Sequence, residues 1–336
     1  MIAELSTRDM LTREIGTSGI RASAVGLGTW AIGGWMWGGT DEAASIAAIQ
    51  ASIDAGVSLI DTAPAYGMGR SEEIVGKAIA GRRDKVVLAT KCGLVWHTDQ
   101  GRHFFDQAGK PVHRYLGADS IVHEVEQSLR RLGTDHIDLY ITHWQDPTTS
   151  VVETMGVLED LKRAGKIRAI GASNVTAADV EAYLAAGQLD AIQEQYSMVH
   201  RDIEAELVPL CTAAGVSILS YASLALGLLT GQIGPERQFE GDDLRISDPR
   251  FSVENRRKVA DFVRDIRPIA EAHRASISQL VIAWTLEQRG VTFALCGARN
   301  AAQAKDNARA GMLRLSEWER ARLTDAAARH LAGIHV

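Results

Sequence analysis

Along this chain, short apolar runs alternate with longer segments in which apolar side chains recur every three or four residues. Thr40 and Asp41 can open a first helix that carries Ile46, Ile49 and Ile53 on one face, and Gly56 ends it. The apolar run at 57–61 then predicts a buried strand. Ser71 predicts the start of a helix through Ile74 and Ile79, followed by a strand over 86–91. Ile121, Val125, Leu129 and Leu132 share a helix face ahead of a strand at 137–142. The cycle continues with a helix around Leu158 and Leu161, a strand at 167–171, a helix over 180–184 and a strand at 190–193. A helix carrying Ile203, Leu207 and Leu210 precedes a strand at 216–221, and the last strand falls at 291–296 between two helices. Ser276 with Gln279, and Ser316 with Glu319, have the spacing of capping boxes.

With residues 23–28 as the first, the pattern holds eight strands, each followed by helix. Strict alternation argues a parallel sheet. Eight units in a chain of 336 residues argue a closed (β/α)8 TIM barrel, in the α/β class. An open doubly wound sheet is the alternative. Residues 12–22 hold a Gly-bounded turn and predict a short hairpin plugging the barrel floor, and extra loops and helices fall in the C-terminal part. The absence of a Pro/Gly/Ser-rich linker or low-complexity tract predicts a single domain over 1–336.

Composition narrows the class without changing the fold. Net charge is 36 − 42 = −6, so no basic field points to nucleic acid or an anionic membrane. No apolar run approaches the ~20 residues needed to span a bilayer, and the first twenty residues lack a signal-peptide core. Cys92, Cys211 and Cys296 lie far apart with no paired spacing, which predicts a reducing compartment and a cytoplasmic enzyme. The partner expected is a small molecule; the sequence sets no oligomeric state.

In a barrel the carboxyl ends of the strands carry the chemistry. Asp61 ends the second predicted strand, Lys91 the third and Gln193 the sixth; His143 follows the fourth, and Tyr66 lies just beyond Asp61. Singly, each has a structural reading: a turn carboxylate, a lysine snorkelling to the rim, a hydrogen-bonded core histidine, a rim aromatic. Together they compose general acid–base catalysis of carbonyl reduction. The alkoxide that forms must be protonated, a phenol can do it if its pKa falls from about 10, and a nearby ammonium lowers that pKa. Asp61 would hold Lys91 charged and oriented, and His143 would polarise the substrate oxygen. No metal is called for, because a nicotinamide carries the hydride. A Schiff base on Lys91, as in a lyase, is a rival that leaves Tyr66 without purpose. A metal-dependent isomerase would need more ligands than Asp61 and His143.

At these residues the chain resembles the aldo-keto reductase superfamily. LIDTAPAYG at 59–67 followed by Ser71-Glu72 is similar to the family's Asp/Tyr signature, Ala89-Thr90-Lys91 to its lysine motif, and Thr142-His143-Trp144 to its histidine motif. The resemblance implies Tyr66 as general acid/base, Lys91 and Asp61 as its tuning pair and His143 as substrate orienter. It also implies a cofactor site: Thr29 and Trp30 in the first loop, Ser173, Asn174 and Gln193 for the nicotinamide carboxamide, and Tyr221 stacked on the ring. Leu224 and Gly227 would lie in the loop across the pyrophosphate. Gly297, Arg299, Gln303, Asp306 and Asn307 would form the adenosine-phosphate site.

Two departures stand out. Tyr221-Ala222-Ser223-Leu224 replaces the usual Tyr-Ser-Pro-Leu, which removes a hydroxyl and a proline. Gln303 and Asp306 replace an arginine and a glutamate, leaving Arg299 to supply the cation, so the expected cofactor is NADP(H) in preference to NAD(H). The first loop and GDDLR at 241–245 resemble the bacterial stress-protein-type branch, which includes NADP-dependent glycerol dehydrogenases and glyceraldehyde reductases. That implies reduction of small aldehydes or ketones, and the reverse oxidation of polyols, in a pocket walled by Trp30, Trp96 and Trp144. The segment after the seventh strand could be a cofactor lid or an ordinary surface insertion. A non-catalytic, cofactor-sensing barrel subunit is the remaining alternative.

Overall fold

A computed structural model describes residues 10–334. Eight parallel strands close a barrel. In chain order they are β3 (Val25–Gly28), β4 (Leu59–Asp61), β5 (Val87–Cys92), β9 (Ile137–Thr142), β10 (Ile167–Ser173), β11 (Ala191–Gln195), β12 (Ser217–Tyr221) and β13 (Val291–Gly297). Closure is between first and last, with Gly28 opposite Gly297 in the β3–β13 pair. Both faces of these strands are buried, which is why they read as near-continuous apolar runs. The predicted strands match these within a residue or two at each end.

Helices α1 (Glu42–Asp54), α2 (Arg70–Ile79), α3 (Ala118–Leu132), α4 (Val151–Arg163), α5 (Ala177–Ala186) and α6 (Leu207–Ala214) return the chain between successive barrel strands. Two helices, α7 (Val253–His273) and α8 (Ile277–Leu286), separate β12 from β13, and α9 (Ala301–Arg309) and α10 (Glu317–His330) follow. The surplus helices α7 and α10 pack on each other and form the expected C-terminal extra. The capping boxes at Ser276 and Ser316 both form, and Thr176 with Asp179 adds a third on α5. Among the described residues no helix is long and apolar enough to cross a membrane.

The expected hairpin is β1 (Thr12–Glu14) against β2 (Arg21–Ser23). Its Ile15, Ile20 and Ala22 join Leu59, Leu139, Ile141, Leu219 and Phe293 in one cluster that fills the barrel. At the hairpin turn Gly16 has φ +53°, and a Cβ there would sit 2.3 Å from the carbonyl oxygen of Asp190, so only glycine fits. Arg13 ties the hairpin to the barrel by donating to the carbonyls of Leu286, Val291 and Thr292 at 2.7–2.9 Å.

Two expectations are corrected. Helix α2 begins at Arg70 behind Gly69, whose φ is +97°, and Ser71 does not cap it. Its hydroxyl is buried instead, in a chain with Thr29 and Thr62. Helix α7, from Val253, is capped by Ser252. Between β5 and α3 the sequence pattern predicts no regular element. The chain there folds into an antiparallel sheet of β6 (Leu94–Val95), β7 (Arg102–Gln107) and β8 (Lys110–Arg114), turning at Ala108 and Gly109 with positive φ at both. Its outer strand is mostly exposed, so it lacks the apolar run that marks the barrel strands.

Candidate active site

The catalytic candidates converge at the carboxyl ends of β4 and β5. Lys91 and Asp61 are almost wholly buried. The ammonium donates to Asp61 Oδ1 at 2.9 Å and Oδ2 at 2.8 Å, to the carbonyl of Thr62 at 2.9 Å, and to the Tyr66 hydroxyl at 3.2 Å. One cation thus joins the carboxylate to the phenol, and its three acceptors fill the donor capacity of the ammonium. The His143 ring stands edge-on to Tyr66, centroids 5.7 Å apart.

Burial disfavours the Lys91 ammonium, but Asp61 and Tyr66 overcome it and hold the lysine above its ordinary pKa. Burial, reinforced by Lys91, pushes His143 well below the ordinary histidine value, so it is a neutral imidazole at neutral pH. Tyr66 departs from expectation. Burial raises the phenol, Lys91 pulls it down, Asp61 pushes it up again, and the net shift is upward. The expected lowering by Lys91 is present but outweighed by desolvation, so the phenol carries its proton at neutral pH.

Residues expected at a nicotinamide lie around this centre, tied to one another. Gln193 donates from Nε2 to Asp61 Oδ1 at 2.8 Å. Asn174, held at φ +56°, donates to the carbonyl of His143 at 2.8 Å and to Ser173 Oγ at 3.1 Å, and accepts from the Tyr221 hydroxyl at 2.7 Å. Ser173 donates to the carbonyl of Gln193. Beneath this loop the Glu194 carboxyl accepts from the backbone N–H of Val175 at 2.9 Å, and burial raises it to about 8. Thr29 is fully buried and donates to the carbonyl of Asp61, so its hydroxyl braces β3 against β4.

Beyond Tyr221 the chain turns through left-handed Ala222, Ala225, Leu226 and Gly227, which follow or flank Leu224. Ser223 points inward, its hydroxyl 3.0 Å from that of Ser220, so this residue returns no side-chain oxygen to the loop surface. At the other end Asn300 caps α9 through the N–H of Gln303, and Gln303 in turn accepts from the N–H of Arg299. Asn307 donates to the carbonyl of Gly297. Asp306 is engaged elsewhere: its oxygens accept from Ser276 and Gln279, the capping box of α8.

A nicotinamide dinucleotide fits these residues. A Cβ added at Gly297 would meet nothing closer than the Gly28 carbonyl oxygen, 3.8 Å away. The paired glycines therefore leave open space at the top of β3 and β13. Amides on one side (Asn174, Gln193) and a cation beside a helix N-terminus on the other (Arg299) suit a carboxamide and a phosphate.

Two features flank the site, one in the segment that the sequence offers as a lid or a surface insertion and one that the sequence pattern does not predict. Residues 36–39 are clasped by the segment after β12: the N–H groups of Met36 and Gly38 both donate to Asp242, at 2.9 and 2.8 Å. Arg245, ion-paired with Asp243, lies over the Trp37 ring, and Arg299 donates to the carbonyl of Gly39. The second feature is the β6–β8 sheet. Its Leu94, Val112 and Phe105 share an apolar cluster with Ala65, Trp96 and Trp144, and Phe105 stacks on Trp35 at 5.3 Å. Trp30 completes the wall 6.4 Å from Tyr66, ring to ring. The Ala108-Gly109 turn between two short polar–apolar segments is the signal in the sequence for the sheet; the clasp joins the first loop to GDDLR at 241–245, two segments that stand out in the sequence without any sign that they meet.

Comparison with known proteins agrees in family. Residues 24–328 match the Aldo/keto reductase family. The chain is 46% identical over 270 residues to Aldo-keto reductase YhdN of Bacillus subtilis, covering 80% of this chain and 78% of that one. It is 41% identical over 266 residues to the NADH-specific methylglyoxal reductase of Escherichia coli, covering 78% and 81%. Among solved structures, the glycerol dehydrogenase AKR11B4 from Gluconobacter oxydans superposes with a TM-score of 0.85 at 38% identity, covering 95% of this chain and 96% of that one.

Proposed function

This chain belongs to the aldo/keto reductase family, and from that premise we propose that it reduces small aldehydes and ketones with NADPH, and catalyses the reverse oxidation, with Tyr66 as the proton donor. The observation that carries the reading is the buried Lys91 ammonium, shared between Asp61 and the Tyr66 hydroxyl.

When bound, the nicotinamide exchanges hydride with the carbonyl carbon. Tyr66 gives its proton to the substrate oxygen as negative charge builds there. Lys91 steadies the phenolate left behind, and Asp61 keeps that lysine charged in a site where an isolated cation would be costly. His143, neutral, donates a hydrogen bond to the same oxygen. Asn174 and Gln193 would hold the carboxamide, with Tyr221 against the ring. The phenol holds its proton in the resting site, as a proton donor in reduction must. The same facts weigh against a Schiff base: a lysine held charged by three acceptors is a poor nucleophile.

Arg299 beside the N-terminus of α9 supports NADP(H), while the name of the Escherichia coli relative favours NADH for that protein. The name of the Gluconobacter oxydans relative, together with the aromatic walls, supports small polyols and their aldehydes such as glycerol and glyceraldehyde. All three cysteines are buried and unpaired, in keeping with a reducing compartment such as the cytoplasm. The test is fluorescence titration with NADPH and NADH, then turnover of glyceraldehyde by the wild type and Tyr66→Phe. The expected result is tighter NADPH binding and turnover that the substitution abolishes while cofactor affinity stays within about 2-fold. A near-wild-type rate in Tyr66→Phe removes the proposed acid. Cofactor binding without turnover of any carbonyl returns the chain to the sensing-subunit reading.

A further inference from the structure

On the β6–β8 sheet, Val112 and Arg114 alternate on β8 and so share a face, and Val112 is the residue that packs into the aromatic wall. Arg114 follows that wall outward. Its guanidinium lies 5.0 Å from the centre of the Phe104 ring, and Phe104 packs at 5.1 Å on Trp144, the neighbour of His143 in sequence. The side chain is half-buried and its Nε is shut off from solvent, yet among the described residues that nitrogen has no hydrogen-bond partner and the guanidinium forms no ion pair. Four other part-buried arginines are placed differently, and Arg256, whose Nε is likewise unpartnered, donates from its terminal nitrogen to the carbonyls of Gly234 and Arg237. Arg83 meets Asp138, Arg131 meets Glu72, Arg201 meets Glu204 and Arg245 meets Asp243.

Burying Nε without an acceptor is costly, and the terminal nitrogens of the same guanidinium are not shut off from the surface and hold no protein acceptor among the described residues. The surrounding charge supplies none. Between 102 and 114 the sheet carries Arg102, Lys110 and Arg114 against Asp106 alone, and Asp106 is bonded to His103. This small positive patch stands in a chain of net charge −6. Through Phe104 and Trp144 it adjoins the cluster that holds Ala65, the neighbour of Tyr66 in sequence, and the ring of Phe104 is exposed at its edge.

We propose that Arg114 is a specificity residue that receives an anionic group, carboxylate or phosphate, carried by the carbonyl substrate. This rests on the reductase reading and narrows its substrates from neutral carbonyl compounds to those bearing an acid. The planar fork of the guanidinium suits either oxyanion.

The experiment compares matched substrates on the full chain: glyceraldehyde with glyceraldehyde 3-phosphate, and butanal with succinic semialdehyde. In Arg114→Met, which keeps an unbranched stem over Phe104, kcat/KM on the charged member falls about 10- to 100-fold, mainly through KM. The neutral member changes by less than about 2-fold, and Arg114→Lys recovers part of the loss. A loss confined to the phosphate or to the carboxylate pair names the anion. Equal losses on charged and neutral members, or no loss on either, overturn the inference. If the wild type turns over none of the four, the reductase reading has failed on its own account. The inference is then decided by binding: succinate and inorganic phosphate, followed by tryptophan fluorescence, must bind more weakly to Arg114→Met, and unchanged binding refutes it.

Discussion

Glu194 buries a carboxyl under the loop that carries Ser173 and Asn174, and the cost of that arrangement can be measured. Burial raises its pKa from 4.5 to about 8, against the pull of the backbone N–H groups of Val175 and Asn174. A carboxyl raised in the folded state is fully compatible with folding below its unfolded pKa, and it withdraws stability as pH climbs toward the folded value. From pH 5 to pH 9 the linkage amounts to about 4 kcal/mol for this one group. Glu194→Gln keeps an oxygen to accept from Val175 and removes the titration. For 336 residues the unfolding entropy is about 0.7 kcal/mol per kelvin, so the melting temperature of Glu194→Gln relative to wild type should rise by roughly 5–6 °C between those pH values. Thermal scans of both proteins at one scan rate, at pH 5, 7 and 9, provide the assay. A difference in melting temperature that does not grow with pH refutes the reasoning. Glu124, raised to about 8 by burial beside Gly93, gives the same window a second contributor, so the wild type should itself lose stability across this range.

Two further outcomes are expected. A Cβ at Gly33 would lie 2.6 Å from the carbonyl carbon of Tyr66, so Gly33→Ala must shift the phenol; kcat should fall about 10- to 100-fold with cofactor affinity preserved, and an unchanged kcat would show that the position of Tyr66 tolerates the strain. Asp242→Ala removes the acceptor for the N–H groups of Met36 and Gly38; cofactor dissociation measured by stopped-flow fluorescence should quicken about 5- to 30-fold, and an unchanged rate would mean the clasp does not retain the cofactor.

The barrel was legible because its strands are buried on both faces and its helices carry regular apolar stripes; the runs at 137–142 and 291–296 could hardly be read otherwise. The hairpin at 12–22 was legible from its glycine-bounded turn. The β6–β8 sheet was not, because residues 102–107 are largely exposed and their polar–apolar pattern resembles a loop. Asp61, Tyr66, Lys91 and His143 could be named in advance, since their order on successive strand ends is a pattern in sequence. The sign of the Tyr66 shift could not, because desolvation depends on burial that only the packed barrel creates. The engagement of Asp306 with the cap of α8 was hidden for a related reason: its partners lie 27 and 30 residues away and meet it only in three dimensions.

The hairpin under the barrel also governs how protons travel. Ile15, Ile20 and Ala22 close the floor beneath an apolar layer of Leu59, Leu139, Leu219 and Phe293, which sets a barrier to protons between the floor and Lys91. On the reading of Tyr66 as the acid, its proton would be replaced from the mouth, the passage that substrate and product also use. Recharging of the proposed acid would then be coupled to departure of the product.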